Sequence, residues 1–193
     1  MGLRESLVLG MDPGTRRFGW GVICKSGTRL THRGHGVIRL DDKAPLAERL
    51  VALEAELVQV VTLYHPTEAA VESMFFGLDA SAAGKLAHAR AIAMLVCARV
   101  GLQIGEYPPA RVKSAIAGGG RADKTQLGRM VMALLKLTEA PALDASDALA
   151  IALTHAQRSP LAALARPTPR APKKPAAPAP KRSALLVRSH RLT

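Results

Sequence analysis

Leu7-Val8-Leu9-Gly10-Met11-Asp12-Pro13-Gly14-Thr15, followed closely by Phe18-Gly19-Trp20-Gly21-Val22-Ile23, decides the fold class of this chain. Ser6–Met11 is a short apolar run that reads as a buried strand, and Asp12-Pro13-Gly14-Thr15 closes it with a strong turn signal. Phe18–Lys25 and Leu30–Leu40 read as two further strands, joined by a hairpin turn at Lys25-Ser26-Gly27. The period then changes. Leu46, Leu50, Leu53, Leu57, Val61 and Tyr64 recur every three or four residues, which predicts a helix over Pro45–Tyr64 that ends at His65-Pro66.

Downstream, helices and strands alternate. Thr67–Val71 is a strand running into Glu72, and Ser81–Val100 is a helix rich in small residues. Leu102–Tyr107 is a strand stopped by Pro108-Pro109. Two short helices, Ala110–Ala117 and Lys124–Lys136, flank the loop Gly118-Gly119-Gly120-Arg121-Ala122-Asp123, and a last helix covers Leu143–Arg158. Three meander strands followed by this alternation predict an α/β fold, a mixed five-stranded sheet with helices on its faces.

Composition narrows the function. The 193 residues carry 27 Lys and Arg against 15 Asp and Glu, a net charge of +12. The last 35 residues hold 8 of the basic residues, 7 of the 13 prolines and no acid. Residues 1–158 are therefore expected to form the folded domain, with 19 basic against 15 acidic residues, and 159–193 a basic Pro/Ala-rich disordered tail. That balance points to a polyanionic partner, with nucleic acid the usual one. Cys24 and Cys97 lack metal-ligand spacing and fit a reducing cytoplasm as core residues. The longest apolar run, Ala91–Ala98, is too short to cross a bilayer, so no membrane association is expected.

With so few acids, their positions carry information. Asp12 ends the first strand, Glu72 ends the fourth, and Asp144 and Asp147 share one face at the start of the last helix. Strand ends and helix starts are where backbone geometry gathers carboxylates from distant sequence. Taken singly each has a plain reading: Asp12 as a turn residue, Glu72 as an edge charge, the aspartates as first-turn acids on a helix dipole. Gathered together they would repel one another unless a hard cation such as Mg²⁺ or Mn²⁺ sat among them. Two such ions about 4 Å apart can drive phosphodiester hydrolysis.

Three segments now carry a resemblance. Leu9-Gly10-Met11-Asp12-Pro13-Gly14-Thr15 with Gly19-Trp20-Gly21-Val22-Ile23, Ala70-Val71-Glu72-Ser73-Met74-Phe75, and Asp144-Ala145-Ser146-Asp147-Ala148-Leu149-Ala150-Ile151-Ala152-Leu153-Thr154-His155 resemble, in order and spacing, the RuvC family of bacterial Holliday-junction resolvases. The resemblance covers about Leu7–Gln157. It implies an RNase H-like fold and a crossover junction endodeoxyribonuclease acting in recombination and repair. It also implies Asp12, Glu72, Asp144 and Asp147 as catalytic ligands of two Mg²⁺ ions, which Mn²⁺ can replace. Met11 stands where Ile or Val is more usual, and Asp147 where some members have His. The tail lies outside the family pattern.

The resemblance further implies Phe75 as an aromatic that stacks on a base at an opened junction, and Lys113 and Lys124 as basic residues near the scissile phosphate. Arg111 and Arg121 add charge beside them and complete the expected DNA-binding set. Four-way junction DNA, a homodimer and the RuvA and RuvB branch-migration proteins are the implied partners. The Ser81–Val100 helix, with Ala82, Ala83, Gly84, Ala87 and Ala91, is the candidate for close packing at the dimer contact, and on sequence alone it reads equally well as an ordinary helix buried against the sheet. His155 reads as structural, or at most as an outer neighbour of the site. Two alternatives belong beside this one: a non-catalytic junction-binding protein, and an RNA-processing nuclease of the same fold. The Asp12-Pro13-Gly14-Thr15 turn also resembles the first phosphate loop of actin-like ATPases, but those need a second lobe for which this chain is too short.

Overall fold

A computed structural model describes residues 5–73, 80–118 and 123–158. Its elements are β1 (Glu5–Asp12), β2 (Arg17–Ser26), β3 (Arg29–Arg39), α1 (Leu46–Tyr64), β4 (Glu68–Glu72), α2 (Ala80–Arg99), β5 (Gln103–Tyr107), α3 (Pro109–Ala117), α4 (Lys124–Leu135) and α5 (Leu143–Ala156). The five strands form one mixed sheet in the order β3-β2-β1-β4-β5. The β3–β2 and β2–β1 pairs are antiparallel, whereas the β1–β4 and β4–β5 pairs are parallel. The expected α/β architecture stands, with every element within two or three residues of its sequence-read bounds.

Strand alternation divides the core into two layers. Leu9, Met11, Phe18, Val22, Ala69 and Val71 pack on one face against Leu53 and Leu57 of α1 and Ala89, Ala93 and Cys97 of α2. Val8, Ile23, Ala70 and Tyr107 pack on the other against Leu149 and Leu153 of α5 and against α3 and α4. The same parity that buries Leu9 and Met11 on the α1 face turns Asp12 toward the α5 face. On β4 the alternation of Ala69 and Val71 with Ala70 does the same for Glu72.

α5 lies unusually close to the sheet. Ala145, Ser146 and every residue from Ala148 to Ala156 are buried. Gly10 and Gly19 make the approach possible: a Cβ on Gly10 would stand 2.1 Å from the Ala148 carbonyl oxygen, and one on Gly19 would stand 1.9 Å from that of Asp144. At its far end α5 stops at Ala156, two residues before the sequence reading ends it. There the Lys25 ammonium donates to the Ala156 carbonyl, and His155, 1% exposed, donates or accepts between Glu68 Oε2 at 2.8 Å and Tyr107 Oη at 3.0 Å. Arg158 also pairs with Glu68. His155 is thus a structural residue tying α5 to β4 and β5, one of the two roles the sequence allowed it.

Candidate active site

Asp12 ends β1 and Glu72 ends β4, and the strands pair so that Met11 faces Val71. The two carboxylates therefore start from adjacent strand ends on the α5 face. α5 supplies Asp144 in its first turn and Asp147 one turn later. The glycine contacts at Gly10 and Gly19 press that end of the helix onto β1 and β2, which brings all four acids into electrostatic range of one another.

The crowding raises the proton affinity of the two strand-end acids. Asp12 is pushed up to about 7, first by burial and then by the charges of Asp147, Glu72 and Asp144. Glu72 is also raised, by burial and by Asp147, with Lys124 and Lys113 opposing the rise. Asp144 and Asp147 each lean on a cation: Arg17 Nε lies 2.8 Å from Asp144 Oδ2, and Lys124 Nζ lies 3.4 Å from Asp147 Oδ2. Lys124 is itself raised, chiefly by Asp147. As the side chains stand, no three His, Cys, Asp or Glu residues among the described residues form a ready metal cage. The donor set nonetheless suits a hard divalent ion, because it is all carboxylate oxygen and its mutual repulsion falls when a cation enters.

Beside the acids is a cavity of about 190 Å³, lined by Glu72, Asp147, Lys113 and Lys124 with apolar Val112, Leu127 and Ile151 behind them. α3 positions Lys113, and α4 begins at Lys124 because Asp123 caps it, its carboxylate accepting from the Gln126 amide at 2.7 Å. Both lysines expected from the sequence thus come to the carboxylates. Arg111, two residues before Lys113 and on another side of α3, is exposed and does not line the cavity. Phe75 and Arg121 lie outside the described residues.

Two contacts were not anticipated from the sequence. Arg17 reaches Asp144 as described, and Arg90 of α2 donates from Nε to the Glu72 carbonyl at 3.3 Å while its Nη2 pairs with Glu106 on β5. Arg17 shares strand parity with Gly19, which lies under Asp144, and that parity was the signal available for it. Arg90 offered none, because its contact depends on how α2 crosses the sheet.

The model of the family described as "Crossover junction endodeoxyribonuclease RuvC" matches residues 8–155, most of the chain. The chain belongs to the RuvC family. A RuvC from Sorangium cellulosum is 48% identical over 167 residues, covering 84% of this chain and 93% of its own. One from Parvibaculum lavamentivorans is 53% identical over 148 residues, 77% of this chain and 85% of its own. Among solved structures, Thermus thermophilus RuvC in complex with a Holliday junction substrate superposes with a TM-score of 0.74 at 34% identity, covering 78% of this chain and 93% of that one. The RNase H-like sheet expected from the sequence is the RuvC fold. Among the described residues no helix is long and apolar enough to cross a membrane.

Proposed function

We propose that this protein is a structure-selective DNA endonuclease that resolves four-way junctions by paired symmetric nicks in recombination and repair, with Asp12, Glu72, Asp144 and Asp147 as its catalytic, metal-holding carboxylates. The convergence of these four acids from two strands and one helix, in a member of the RuvC family, carries the reading. Their hard oxygen donors would hold two Mg²⁺ ions, or Mn²⁺ in their place. Bound there, the metal supplies an acidified water and stabilises the departing 3′ oxygen of phosphodiester hydrolysis. Without it, Arg17 and Lys124 pair with Asp144 and Asp147 and offset part of their charge.

The lysines serve the substrate. Lys113 and Lys124 stand beside Glu72 and Asp147 in a cavity open to solvent, where a phosphate diester offsets their charge. Arg111 and Arg121 add longer-range attraction. Phe75, three residues beyond Glu72, stacks on a base freed at the junction centre, a contact worth about 1–3 kcal/mol that tolerates any sequence.

Paired cuts call for two sites related by a two-fold axis, hence a homodimer. α2 supports it. Gly84, His88, Ala91, Leu95 and Ala98 are spaced by four, three, four and three residues, the a/d pattern of a coiled-coil seam. His88, Ala91, Leu95 and Ala98 are exposed, and a Cβ on Gly84 would meet nothing within 4 Å. In cells the dimer would act with the RuvA and RuvB branch-migration proteins. The nuclease body would end near Arg158, and the basic segment 159–193 would extend from it. Cleavage of a four-way DNA junction labelled on each strand, with Mg²⁺, with Mn²⁺ and with EDTA, tests the reading against a structured-RNA competitor. Symmetric, metal-dependent nicks that the RNA does not suppress are expected. Preferential cleavage of the RNA would replace junction resolution with RNA processing.

A further inference from the structure

Arg17 and Arg39 are direct cross-strand partners on β2 and β3. Directly opposed residues project from the same face of a sheet, and like charges so placed weaken the pairing. Here the shared face is that of α5, since Gly19, two residues along from Arg17, lies under Asp144. Arg17 is 48% exposed even while bonded to Asp144. Arg39 is exposed and has no carboxylate partner among the described residues. Arg16, at 73% exposure, reaches Asp42 only at 3.8 Å. The turn that carries Arg16 and Arg17 is braced: the Leu40 amide donates to the Arg16 carbonyl at 2.9 Å, and Arg49 Nη1 donates to the Thr15 carbonyl at 2.9 Å. The backbone is held firmly while Arg16 and Arg39 stay largely unneutralised and Arg17, paired with Asp144 through Nε, keeps about half of its side chain exposed.

Position gives the cluster a purpose. In the sheet order, β4 with Glu72 lies on one side of Asp12, and the cavity there carries Lys113 and Lys124. β2 and β3, with Arg17 and Arg39, lie on the other side. The span from β1 to β3 is two strand spacings, about 10 Å, which matches the axial advance of about three nucleotides along one strand. We propose that Arg16, Arg17 and Arg39 form a second phosphate-binding site, gripping the DNA backbone a few nucleotides from the scissile phosphate on the side opposite Lys113 and Lys124. The proposal rests on the reading of this protein as a DNA nuclease. Guanidinium groups suit the task because each can give two parallel hydrogen bonds to phosphate oxygens.

The test compares full-length wild type with Arg16→Gln, Arg39→Gln and the double variant. Arg29→Gln, at the far end of β3 where Arg29 pairs with Ser26, controls for general surface charge. Fluorescence anisotropy would follow binding to a labelled four-way junction and to duplex DNA in EDTA, between 50 and 250 mM salt. Each lost phosphate contact lowers the slope of log affinity against log salt by about 0.9. The double variant should therefore lose nearly two in slope and bind about 10-fold to 100-fold more weakly, with an unchanged melting temperature. Arg29→Gln should match wild type. A double variant with the wild-type slope, or an Arg29→Gln slope reduced as far as that of Arg39→Gln, overturns the second site. Loss of junction preference in wild type would instead defeat the resolvase reading, and the slopes on duplex would still judge the arginines.

Discussion

Burial and the neighbouring carboxylates raise the affinity of Asp12 for a proton, and that has a consequence for stability. Its value is about 7 in the folded chain against 3.8 for an unperturbed aspartate. The folded state therefore binds a proton over that interval which the unfolded state releases. Metal-free protein should gain stability as pH falls from about 7 toward 4, and above 7 it should carry the full penalty of a buried, crowded charge. Asp12→Asn removes the penalty. In EDTA at pH 8 the variant should melt a few degrees above wild type, and the difference should shrink toward pH 5 and when Mg²⁺ is added to wild type. Calorimetry across that pH range checks it, and a variant that melts lower at pH 8 would mean Asp12 is stabilising where it sits. At this scale the acids were legible because each falls at a strand end or a helix start. Their mutual distances were not, nor was Arg17 at Asp144, since an arginine beside a turn reads as a solvated charge until the helix packed over it is known.

The contact between α5 and the sheet is what converts four scattered acids into one cluster. Gly19→Ala would set a methyl group 1.9 Å from the Asp144 carbonyl. α5 must shift to accept it, at a cost of about 1–3 kcal/mol. A displacement of about 1 Å at reacting groups can cost roughly 100-fold in rate. The variant should thus fold, as judged by circular dichroism, and lose most of its cleavage. Activity near wild type would show that the close approach does not set the site. The other end of α5 depends on Glu68, whose affinity for protons is lowered first by its hydrogen bond with His155, against an opposing effect of burial, and then by Arg158. A lowered value means stability that is present above the unfolded carboxylate range and is lost as pH falls through the folded value. Glu68→Gln should cost roughly 1.5–3 kcal/mol at pH 7, and its deficit in urea unfolding should narrow from pH 5 to pH 3. The elements themselves were readable from period and turn chemistry. The tie between His155, Glu68 and Tyr107 was not, because it joins three elements whose adjacency comes from sheet order.

For the molecule as a whole, the proposed two-fold assembly and the excess of basic charge bear on what it does to a branched DNA. The exposed seam on α2 follows the heptad spacing of its sequence, yet the sequence alone left that helix equally readable as buried. Burial of Ala89, Ala93, Val96 and Cys97 on one side separates the inward face from Gly84, His88, Ala91, Leu95 and Ala98. Leu95→Glu places a charge in the seam and should turn a dimer into a monomer by sedimentation velocity, with paired nicks giving way to slow single nicks. A variant that remains dimeric would move the interface elsewhere. The excess of basic residues predicted a polyanionic partner, and charge by itself gave no means of choosing DNA over RNA. Family membership favours DNA, and the competitor experiment decides it for this chain.

The most direct test of the central claim is cleavage of a mobile four-way DNA junction in Mg²⁺ by wild type, Asp12→Asn and Glu72→Gln, with binding followed in parallel in EDTA. Wild type should give paired, symmetric nicks, and both variants should lose cleavage by at least about 1,000-fold while binding the junction as tightly as wild type or more so. Cleavage that persists in both folded variants, or wild type that binds the junction tightly without cutting in either Mg²⁺ or Mn²⁺, would contradict the assignment of these carboxylates as the catalytic centre.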